Sequence, residues 1–315
     1  MPGFRFGFAD LQVGIRPAMS LTTGIPAADH ALPSLETDEV TIVVATRNRP
    51  GRLGETAAHH RAPVIVVDNG SDDPIRLPGA EVVRLDANRG AAARNVGVER
   101  ARTPFVAFAD DDSYWAPGSL ALAAVLLRAH PRAALLAAEV RVGPARRLDP
   151  VSAAMMAAPL GTPPGAAGPS VLGFLACAVV MRRDAFLAAG GFQPRLFVYG
   201  EEALLAMDLA AAGHQLSYVQ SLLVRHFPEP AGRDPRGRRR LETRNRLLTA
   251  LLRRPPTEVA RTAVAALRAE PAVLGDVLRH LPWALRSRRR LPATVEDALR
   301  RLATGGVDRC RSGRR

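Results

Sequence analysis

The stretch from Thr103 to Trp115, TPFVAFADDDSYW, joins an apolar run to three consecutive aspartates. Phe105 to Phe108 predicts a short buried strand, which cannot continue into Asp110 to Asp112 without burying uncompensated charge. We therefore expect the strand to end there, with its carboxylates at the edge of a sheet. Carboxylate oxygens are the ligands that Mg²⁺ prefers and that also suit Mn²⁺. An acidic turn that caps a helix starting at Pro117 would show the same pattern.

The chain is strongly basic, and its basic residues are unevenly distributed. Its 315 residues carry a formal net charge of +13, and arginines cluster after residue 230. A chain of this length can bury one large core, or form one domain with an appendage. A C-terminal basic excess can serve nucleic acid, an anionic membrane or a phosphorylated ligand, and charge alone does not choose among them.

The cysteines and the apolar stretches indicate where in the cell the protein is located. Cys177 and Cys310 form no CxxC pair, so the sequence indicates neither a zinc site nor a disulfide framework. Charged residues interrupt the N-terminal segment, which argues against a signal peptide. Glycines and prolines break the uncharged segment 151–181 into pieces too short to span a bilayer. We expect no transmembrane helix and a cytoplasmic location, with a peripheral position at the inner face of the membrane as an alternative.

Four predicted strands in the first third of the chain each run into a polar loop. Strands that alternate with helices at this spacing predict βαβ units, a mostly parallel sheet and an α/β fold. The loops begin near Thr46, Asp68, Asn88 and Asp110, and in open α/β sheets ligands bind at the carboxyl ends of the strands. Any α/β fold places polar loops there, but four in a row favour a nucleotide site.

The chain divides into three predicted parts. Residues 1–38 predict a loosely ordered leader, residues 39–240 the α/β domain, and residues 241–315 a helical, basic extension. Within the domain, the Pro/Gly-rich segment 143–170 is expected to cross the surface, and residues 171–182 are expected to form a strand.

Several short motifs follow one another between Val40 and Arg254: TRNRP, VVDNGS, NRGAAARNVG, FADDDS, GGF with YGEE, VRHFP and RN. Their order resembles that of the family 2 glycosyltransferases of the nucleotide-diphospho-sugar transferase (GT-A) fold. The resemblance implies a Rossmann-like GT-A domain that inverts the sugar and depends on Mg²⁺ or Mn²⁺. It would move a sugar from a UDP-, GDP- or TDP-linked donor to a glycan, lipid-linked or small-molecule hydroxyl, in cell-envelope or natural-product biosynthesis, with no nucleic-acid partner.

The resemblance also implies roles for individual residues at the donor end. Gly90 would allow a close backbone approach. The metal ligands would be Asp112, Asp110 and His226. The donor nucleotide would be bound by Thr46, Arg47, Asp68, Asn88, Arg94, Asp110 and Asp111.

By the same resemblance, Glu202 would be the base that takes the proton from the acceptor hydroxyl, with Glu201 as the next candidate. Family members usually present Glu-Asp here, whereas this chain has Glu-Glu, and Asp208 stands where many members carry arginine. An acidic first turn that complements the helix dipole would explain Glu201 better than Glu202. Further candidates near the diphosphate are Arg233, Arg244 and Asn245.

Other functions fit parts of the sequence. A catalytically degenerate transferase would explain the departures at Glu202 and Asp208. A sugar-phosphate nucleotidyltransferase shares the sheet, but TRNRPGR lacks the glycine spacing it would need after the first strand. A basic membrane- or RNA-binding protein leaves the acidic cluster unexplained. The arginines of the extension, with Trp283, fit an anionic membrane, and a helix packed on the domain with a solvated basic face fits equally.

Overall fold

The computed structural model describes residues 36–229 and 234–312, with side chains described as far as residue 304. The predicted leader lies outside the described residues except for its last three positions, 36–38. Arg233 and Cys310 also lie outside the described side chains.

Strands and helices alternate through the first two thirds of the described chain, and helices alone follow. The strands are β1 Val40–Thr46, β2 Val64–Asp68, β3 Glu81–Arg84, β4 Phe105–Ala109, β5 Ser113–Trp115, β6 Ala133–Val142, β7 Arg147–Leu148, β8 Val179–Arg182 and β9 Gln215–His226. The helices are α1 Pro50–Ala57, α2 Ala93–Arg100, α3 Ser119–Ala129, α4 Pro150–Met156, α5 Arg183–Ala188, α6 Glu201–Ala211, α7 Pro235–Arg253, α8 Pro256–Ala269, α9 Val273–Arg286 and α10 Ala293–Ser312.

In the described chain the strands form one sheet in the order β3-β2-β1-β4-β8-β6-β9-β5, with β7 paired to β6. Strands β3, β2, β1 and β4 are mutually parallel, as the alternating pattern predicts. Valine, isoleucine and phenylalanine fill β1, β2 and β4 because helices cover both faces of a parallel sheet. Thr46 pairs with Asp68, so the two strands end side by side. The α/β fold is confirmed.

The other half of the sheet contains antiparallel pairs. Strand β8 is antiparallel to both β4 and β6, and β5 is antiparallel to β9. Ser113 in β5 pairs with His226 at the end of β9. This pairing brings the aspartates that follow β4 next to a histidine more than a hundred residues later in the chain.

Two expectations for the middle of the domain were wrong in part. Only Val179–Arg182 of the predicted strand 171–182 is a strand, and Ala176–Ala178 forms a 3₁₀ turn. Segment 143–170 is not only a surface crossing, because it contains α4, in which Val151 and Met155 are buried. Proline at the first position and Asp149 as N-cap start this helix, and Asp149 Oδ1 accepts from Val151 N at 2.7 Å.

The helical extension packs on the domain. Leu247, Leu248 and Leu252 of α7 share an apolar cluster with Leu196 and Leu204, which precede and belong to α6. Because α7 starts at Pro235, the predicted boundary after residue 240 falls inside a helix. No helix among the described residues is both long enough and apolar enough to cross a membrane.

Candidate active site

The first polar pair of the site joins the end of β1 to the aspartate triplet. Thr46 Oγ1 donates to Asp111 Oδ2 at 2.7 Å, and Thr56 Oγ1 of α1 donates to the Asp111 carbonyl at 3.0 Å. Thr46 is 3% exposed and Asp111 is 6% exposed. Burial raises the pKa of Asp111 to about 6, against the opposing effects of Thr46 and the Arg49 charge.

Asp68 ends β2 and is fully buried. Its Oδ1 accepts from Ser71 N at 2.9 Å, and its Oδ2 accepts from Ile75 N at 3.2 Å. Burial alone would raise the pKa of Asp68, but these hydrogen bonds and the charge of Arg84 lower it. Asp68 therefore shapes the loop that follows β2, and its contact with a donor base stays a prediction. Arg47 also contacts this loop, donating from Nε to the Gly70 carbonyl at 3.0 Å.

Asn88 is held by a neighbour that we did not predict as a site residue. Asn69 Nδ2 donates to Asn88 Oδ1 at 3.0 Å, and Asn69 Oδ1 accepts from Arg89 N at 2.7 Å. Asn88 Oδ1 also accepts from Gly90 N at 2.9 Å. Asn69 lies within the motif VVDNGS, beside Asp68, and that position was the available signal.

Arg94 and Asp110 form an ion pair at the centre of the site. The Arg94 side chain is 12% exposed, and its Nε has no hydrogen-bond partner among the described residues. Burial would lower the pKa of Arg94, but Asp110 and Glu201, followed by Glu202, raise it above its ordinary value. Arg94 thus interacts electrostatically with both the aspartate triplet and the acidic pair that begins α6.

Asp112 faces His226, with His226 Nε2 at 3.2 Å from Asp112 Oδ1. Burial would raise the pKa of Asp112, but the hydrogen bond from His226 and nearby arginines lower it. Burial lowers the pKa of His226, and the contact with Asp112 more than offsets this, so the net direction is upward. Cys177, which the sequence did not single out, offers a sulfur so placed that the ligand atoms of Asp110, Cys177 and His226 lie within 4.8 Å of one another.

Arg49 is a second residue that sequence reasoning missed. Its Nη1 lies 2.5 Å from Asp111 Oδ1 and 3.6 Å from Asp112 Oδ2, and its Nη2 lies 2.8 Å from Glu229 Oε2. Arg49 belongs to the motif TRNRP, from which we predicted only Thr46 and Arg47 as donor-binding residues. The motif therefore contained the signal, but only the fold shows which of its arginines faces the aspartates.

The acidic pair at the start of α6 has unequal surroundings. Glu201 is 4% exposed, and its Oε2 has no hydrogen-bond partner in the described part of the chain. Glu202 is less buried, and its Oε2 accepts from Gly200 N at 3.3 Å. Burial raises the pKa of both carboxyl groups, and their mutual repulsion adds to the effect on Glu201. Both residues lie in the first turn of α6, where an acidic side chain complements the helix dipole, and Glu202 also contacts the backbone there.

Three other candidates take part in contacts between the domain and α7. Asp208 pairs with Arg253, with Arg253 Nη2 at 2.9 Å from Asp208 Oδ2. Asn245 Nδ2 and Arg244 Nη2 donate to the Leu196 carbonyl, each at 2.8 Å. Asp208 is therefore engaged by the extension, and Arg244 and Asn245 hold the backbone before α6.

The alternative in which Asp110 to Asp112 form a turn that caps the next helix receives no support, because Gly118, not an aspartate, is the N-cap of α3.

The structure brings most of the candidates into one continuous polar cluster. Its members are linked through contacts of Thr46 with Asp111, Asp110 with Arg94 and Asp112 with His226. Asp68, Asn88 and Arg47 lie in the neighbouring loops. Glu201 and Glu202 are linked to the cluster by their electrostatic interaction with Arg94.

The donor atoms at Asp112 and His226 fit a divalent cation. Two ligands about 2.1 Å from one Mg²⁺ ion at a right angle are about 3 Å apart, and Asp112 Oδ1 and His226 Nε2 are 3.2 Å apart. Carboxylate and imidazole together also suit Mn²⁺. Asp112 and His226 can therefore serve as two ligands of one ion without rearranging the sheet.

Residues 41–187 match glycosyl transferase family 2. The chain is 33% identical over 215 residues to the pre-mycofactocin glycosyltransferases of two Mycobacterium tuberculosis strains, a match that covers 62% of this chain and 44% of theirs. The chain thus spans less than half the length of these curated relatives.

Two solved structures have a similar fold. A mannosyltransferase from Pyrobaculum calidifontis in complex with GDP-Man and Mn²⁺ superposes with a TM-score of 0.53 at 18% identity, covering 87% of this chain and 88% of that one. GalNAc-T7 with UDP, GalNAc and Mn²⁺ superposes with a TM-score of 0.56 at 12% identity, covering 82% and 57% of the two chains. The sequence match shows that residues 41–187 are similar to glycosyl transferase family 2, and the superpositions show that the chain has the GT-A fold.

Proposed function

We propose that this chain is an inverting, metal-dependent glycosyltransferase that moves a sugar from a nucleotide-diphospho-sugar to an acceptor hydroxyl. One observation carries the proposal: Arg94 is buried between the aspartates that follow β4 and the acidic pair that begins α6. The proposed site for the leaving diphosphate and the proposed site for proton transfer thus lie on opposite sides of the Arg94 guanidinium. This arrangement suits direct displacement, in which both ends of the reaction must be held at once.

In this proposal Asp112 and His226 hold the metal, with Asp110 beside them. When bound, Mg²⁺ or Mn²⁺ would neutralise the charge of the leaving diphosphate. Thr46, Arg47, Asp68, Asn88, Arg94 and Asp111 form the proposed nucleotide end of the site. The structural neighbours hold UDP or GDP-Man together with Mn²⁺, which makes UDP- and GDP-sugars the first donors to test, with TDP-sugars next.

Glu202 is the proposed base. Its Oε2 is anchored by the Gly200 amide, which leaves Oε1 to accept the proton of the acceptor hydroxyl. The hydroxyl oxygen then forms the bond to the anomeric carbon as the bond to the diphosphate breaks, so the configuration inverts. A raised pKa suits a group that must take up a proton during the reaction. Glu201, more deeply buried and without a hydrogen-bond partner for Oε2 among the described residues, is the alternative base.

A donor panel tests the function. The full chain is incubated with UDP-, GDP- and TDP-sugars, with Mn²⁺, with Mg²⁺ and with chelator, and the released nucleotide is identified. We expect Mn²⁺- or Mg²⁺-dependent release of nucleoside diphosphate from one donor class, and inversion at the sugar once an acceptor is found. Release of nucleoside monophosphate or pyrophosphate would instead indicate nucleotidyl transfer. Nucleotide binding without any release would indicate a degenerate transferase.

We also propose that α9 touches an anionic membrane surface. Leu274, Leu278 and Leu285 lie on one side of this helix and are 44%, 53% and 57% exposed. Arg279, on the adjoining face, is 78% exposed. An apolar row beside basic side chains is typical of helices that lie in the membrane interface. Trp283, by contrast, faces the domain, because the Arg195 guanidinium lies 5.2 Å from its ring centre.

Vesicle sedimentation tests the membrane contact. We expect the full chain to pellet with phosphatidylglycerol-containing vesicles and not with pure phosphatidylcholine. The double variant Leu278→Ser with Leu285→Ser should lose this binding, whereas Val125→Ser, at an exposed valine of α3, should keep it. Wild-type protein that stays in the supernatant, or a double variant that pellets like wild type, would rule the contact out.

A further inference from the structure

The loop just before the acidic pair has an unusual backbone. Phe197, Tyr199 and Gly200 all have positive φ, at 67°, 69° and 97°. Glycine adopts such angles readily, but for bulky side chains they are costly and persist only where surrounding contacts impose them. Glu201 and Glu202 follow directly, so the conformation of residues 195–200 sets where both carboxylates start.

Asn245 of α7 holds this loop by hydrogen bonds to its backbone. Its Nδ2 lies 2.8 Å from the Leu196 carbonyl, 2.8 Å from that of Val198 and 2.7 Å from that of Tyr199. An amide nitrogen has two hydrogens, so three acceptors share two donors. Asn245 is fully buried, so its amide has no water to bond to in place of these carbonyls.

Arg244 completes the grip from the same helix. Its Nε donates to Asn245 Oδ1 at 2.9 Å, which orients the amide, and its Nη2 donates to the Leu196 carbonyl at 2.8 Å. Arg238, two turns earlier, places its guanidinium 4.8 Å from the centre of the Tyr199 ring. The loop is therefore held along its length by α7.

The opposite side of the loop meets the donor rim, the polar edge of the sheet formed by Thr46, Asp68 and Asn88 with the segment that follows Asn88. Ala91 N donates to the Phe197 carbonyl at 2.7 Å. A Cβ on Gly90 would lie only 2.3 Å from the same carbonyl oxygen, so the glycine is needed for this approach. The loop thus lies between α7 and the segment that follows Asn88.

We propose that Asn245 and Arg244 are positioning residues: they hold loop 195–200 in its left-handed conformation and so place the Glu201–Glu202 pair relative to Arg94. This inference rests on the proposed function, because it assigns the pair to proton transfer. It also makes α7 a part of the working active site. A carboxylate displaced by about 1 Å can cost a large share of the rate, because near-attack geometry is sensitive to such shifts.

The test compares variants of α7 in the full chain. Asn245→Ala and Arg244→Ala remove the grip, and Arg244→Lys retains a charged donor. Arg253→Ala is the matched control, since it removes a contact between α7 and α6, the Asp208 ion pair, without touching the loop. The measurements are kcat, donor KM, nucleotide Kd, melting temperature and hydrogen exchange of the amides of residues 197–201.

We expect Asn245→Ala and Arg244→Ala to lower kcat about tenfold or more, with nucleotide Kd within about twofold of wild type, and to speed amide exchange in the loop. Arg244→Lys should recover part of the loss. Arg253→Ala should lower the melting temperature and leave kcat and loop exchange unchanged.

Several outcomes would overturn the proposal. Equal losses of kcat in Arg253→Ala and Asn245→Ala would mean that α7 acts only as a structural support. An unchanged kcat in both Asn245→Ala and Arg244→Ala would show that these residues do not position the acidic pair. If Asn245→Ala does not fold, the half-buried Arg244 carries the test. If wild type turns over no donor, the proposed function fails, whereas loop exchange still decides whether Asn245 imposes the conformation.

Discussion

The donor rim and the acidic pair of α6 are built in different ways. At the rim, Thr46 and Asp68 are neighbours because the parallel strands that carry them pair in register and end together. Glu201 and Glu202 instead follow a loop whose left-handed residues are held by a helix more than thirty residues later in sequence. The rim is therefore a product of the sheet, whereas the position of the acidic pair depends on contacts between distant parts of the chain.

The largest effect that this comparison predicts is for the proposed base. Glu202→Gln should lower transfer by about 10²–10⁴-fold, because a positioned base contributes on that scale. Nucleotide binding should remain, since the amide keeps an acceptor for Gly200 N. The measurements are single-turnover transfer and nucleotide titration. Glu201→Gln is the matched variant, and a larger loss there than in Glu202→Gln would assign the base to Glu201.

The next effect tests the rim. Asp112→Ala should weaken Mn²⁺-dependent nucleotide binding by at least about 10- to 100-fold, since that loss is typical even when only a residue that supports a metal ligand is removed. His226 also loses the partner of its Nε2. Calorimetric titration with and without Mn²⁺ measures the change. Asp86→Ala, at an exposed acid after β3, provides the control. Equal binding in Asp112→Ala and wild type would move the metal away from this pair.

A third variant tests the contact between the two regions. Gly90→Ala should reduce the free energy of unfolding by about 1–3 kcal/mol, because the residue has a φ of 60° and its Cβ would meet the Phe197 carbonyl. Gly54→Ala is the control, since a Cβ there meets nothing within 4 Å and the residue lies in α1. It should be neutral or stabilising by up to about 1 kcal/mol. Denaturant titration of both variants measures the difference. Equal stabilities would mean that loop 195–200 can move away from residue 90 at no cost in free energy.

The smallest effect concerns pH. Burial raises the pKa of Glu202 and of its neighbour Glu201, and a base works only when deprotonated. The kcat at saturating donor should therefore fall as pH decreases through the raised pKa, at a higher pH than an ordinary glutamate would allow. In Glu202→Gln this limb should disappear from the residual rate. An acid limb at the ordinary glutamate value would show that burial does not control the pair in the working enzyme.

Much of the fold was predictable from local pattern. Apolar runs ending in polar residues predicted four strands in the first third of the chain, and the structure contains them as β1, β2, β3 and β4. The short strand β5 was not predicted, because Ser113–Trp115 carries too few residues for a periodic signal and forms by pairing with β9. Helix α4 was missed for a related reason, since Pro/Gly-rich flanks obscured its seven residues.

The candidate site shows the same division. Motif order in the sequence selected Thr46, Asp110, Asp112, Glu202 and His226, but it could not show that Arg49 faces the aspartates or that Cys177 lies near Asp110 and His226. Those contacts join residues on separate elements, and no spacing along the chain encodes them.

The sequence by itself determined the α/β class, the strand ends that carry the donor rim and the resemblance to family 2 glycosyltransferases, because these depend on side-chain periodicity and on motifs within single elements. Only the tertiary structure decided how α7 is used. The motif RN marked Arg244 and Asn245 as candidates near the diphosphate, but nothing in the sequence showed that they hold loop 195–200. Their role follows from burial against three carbonyls of a loop that cannot keep its left-handed backbone unaided.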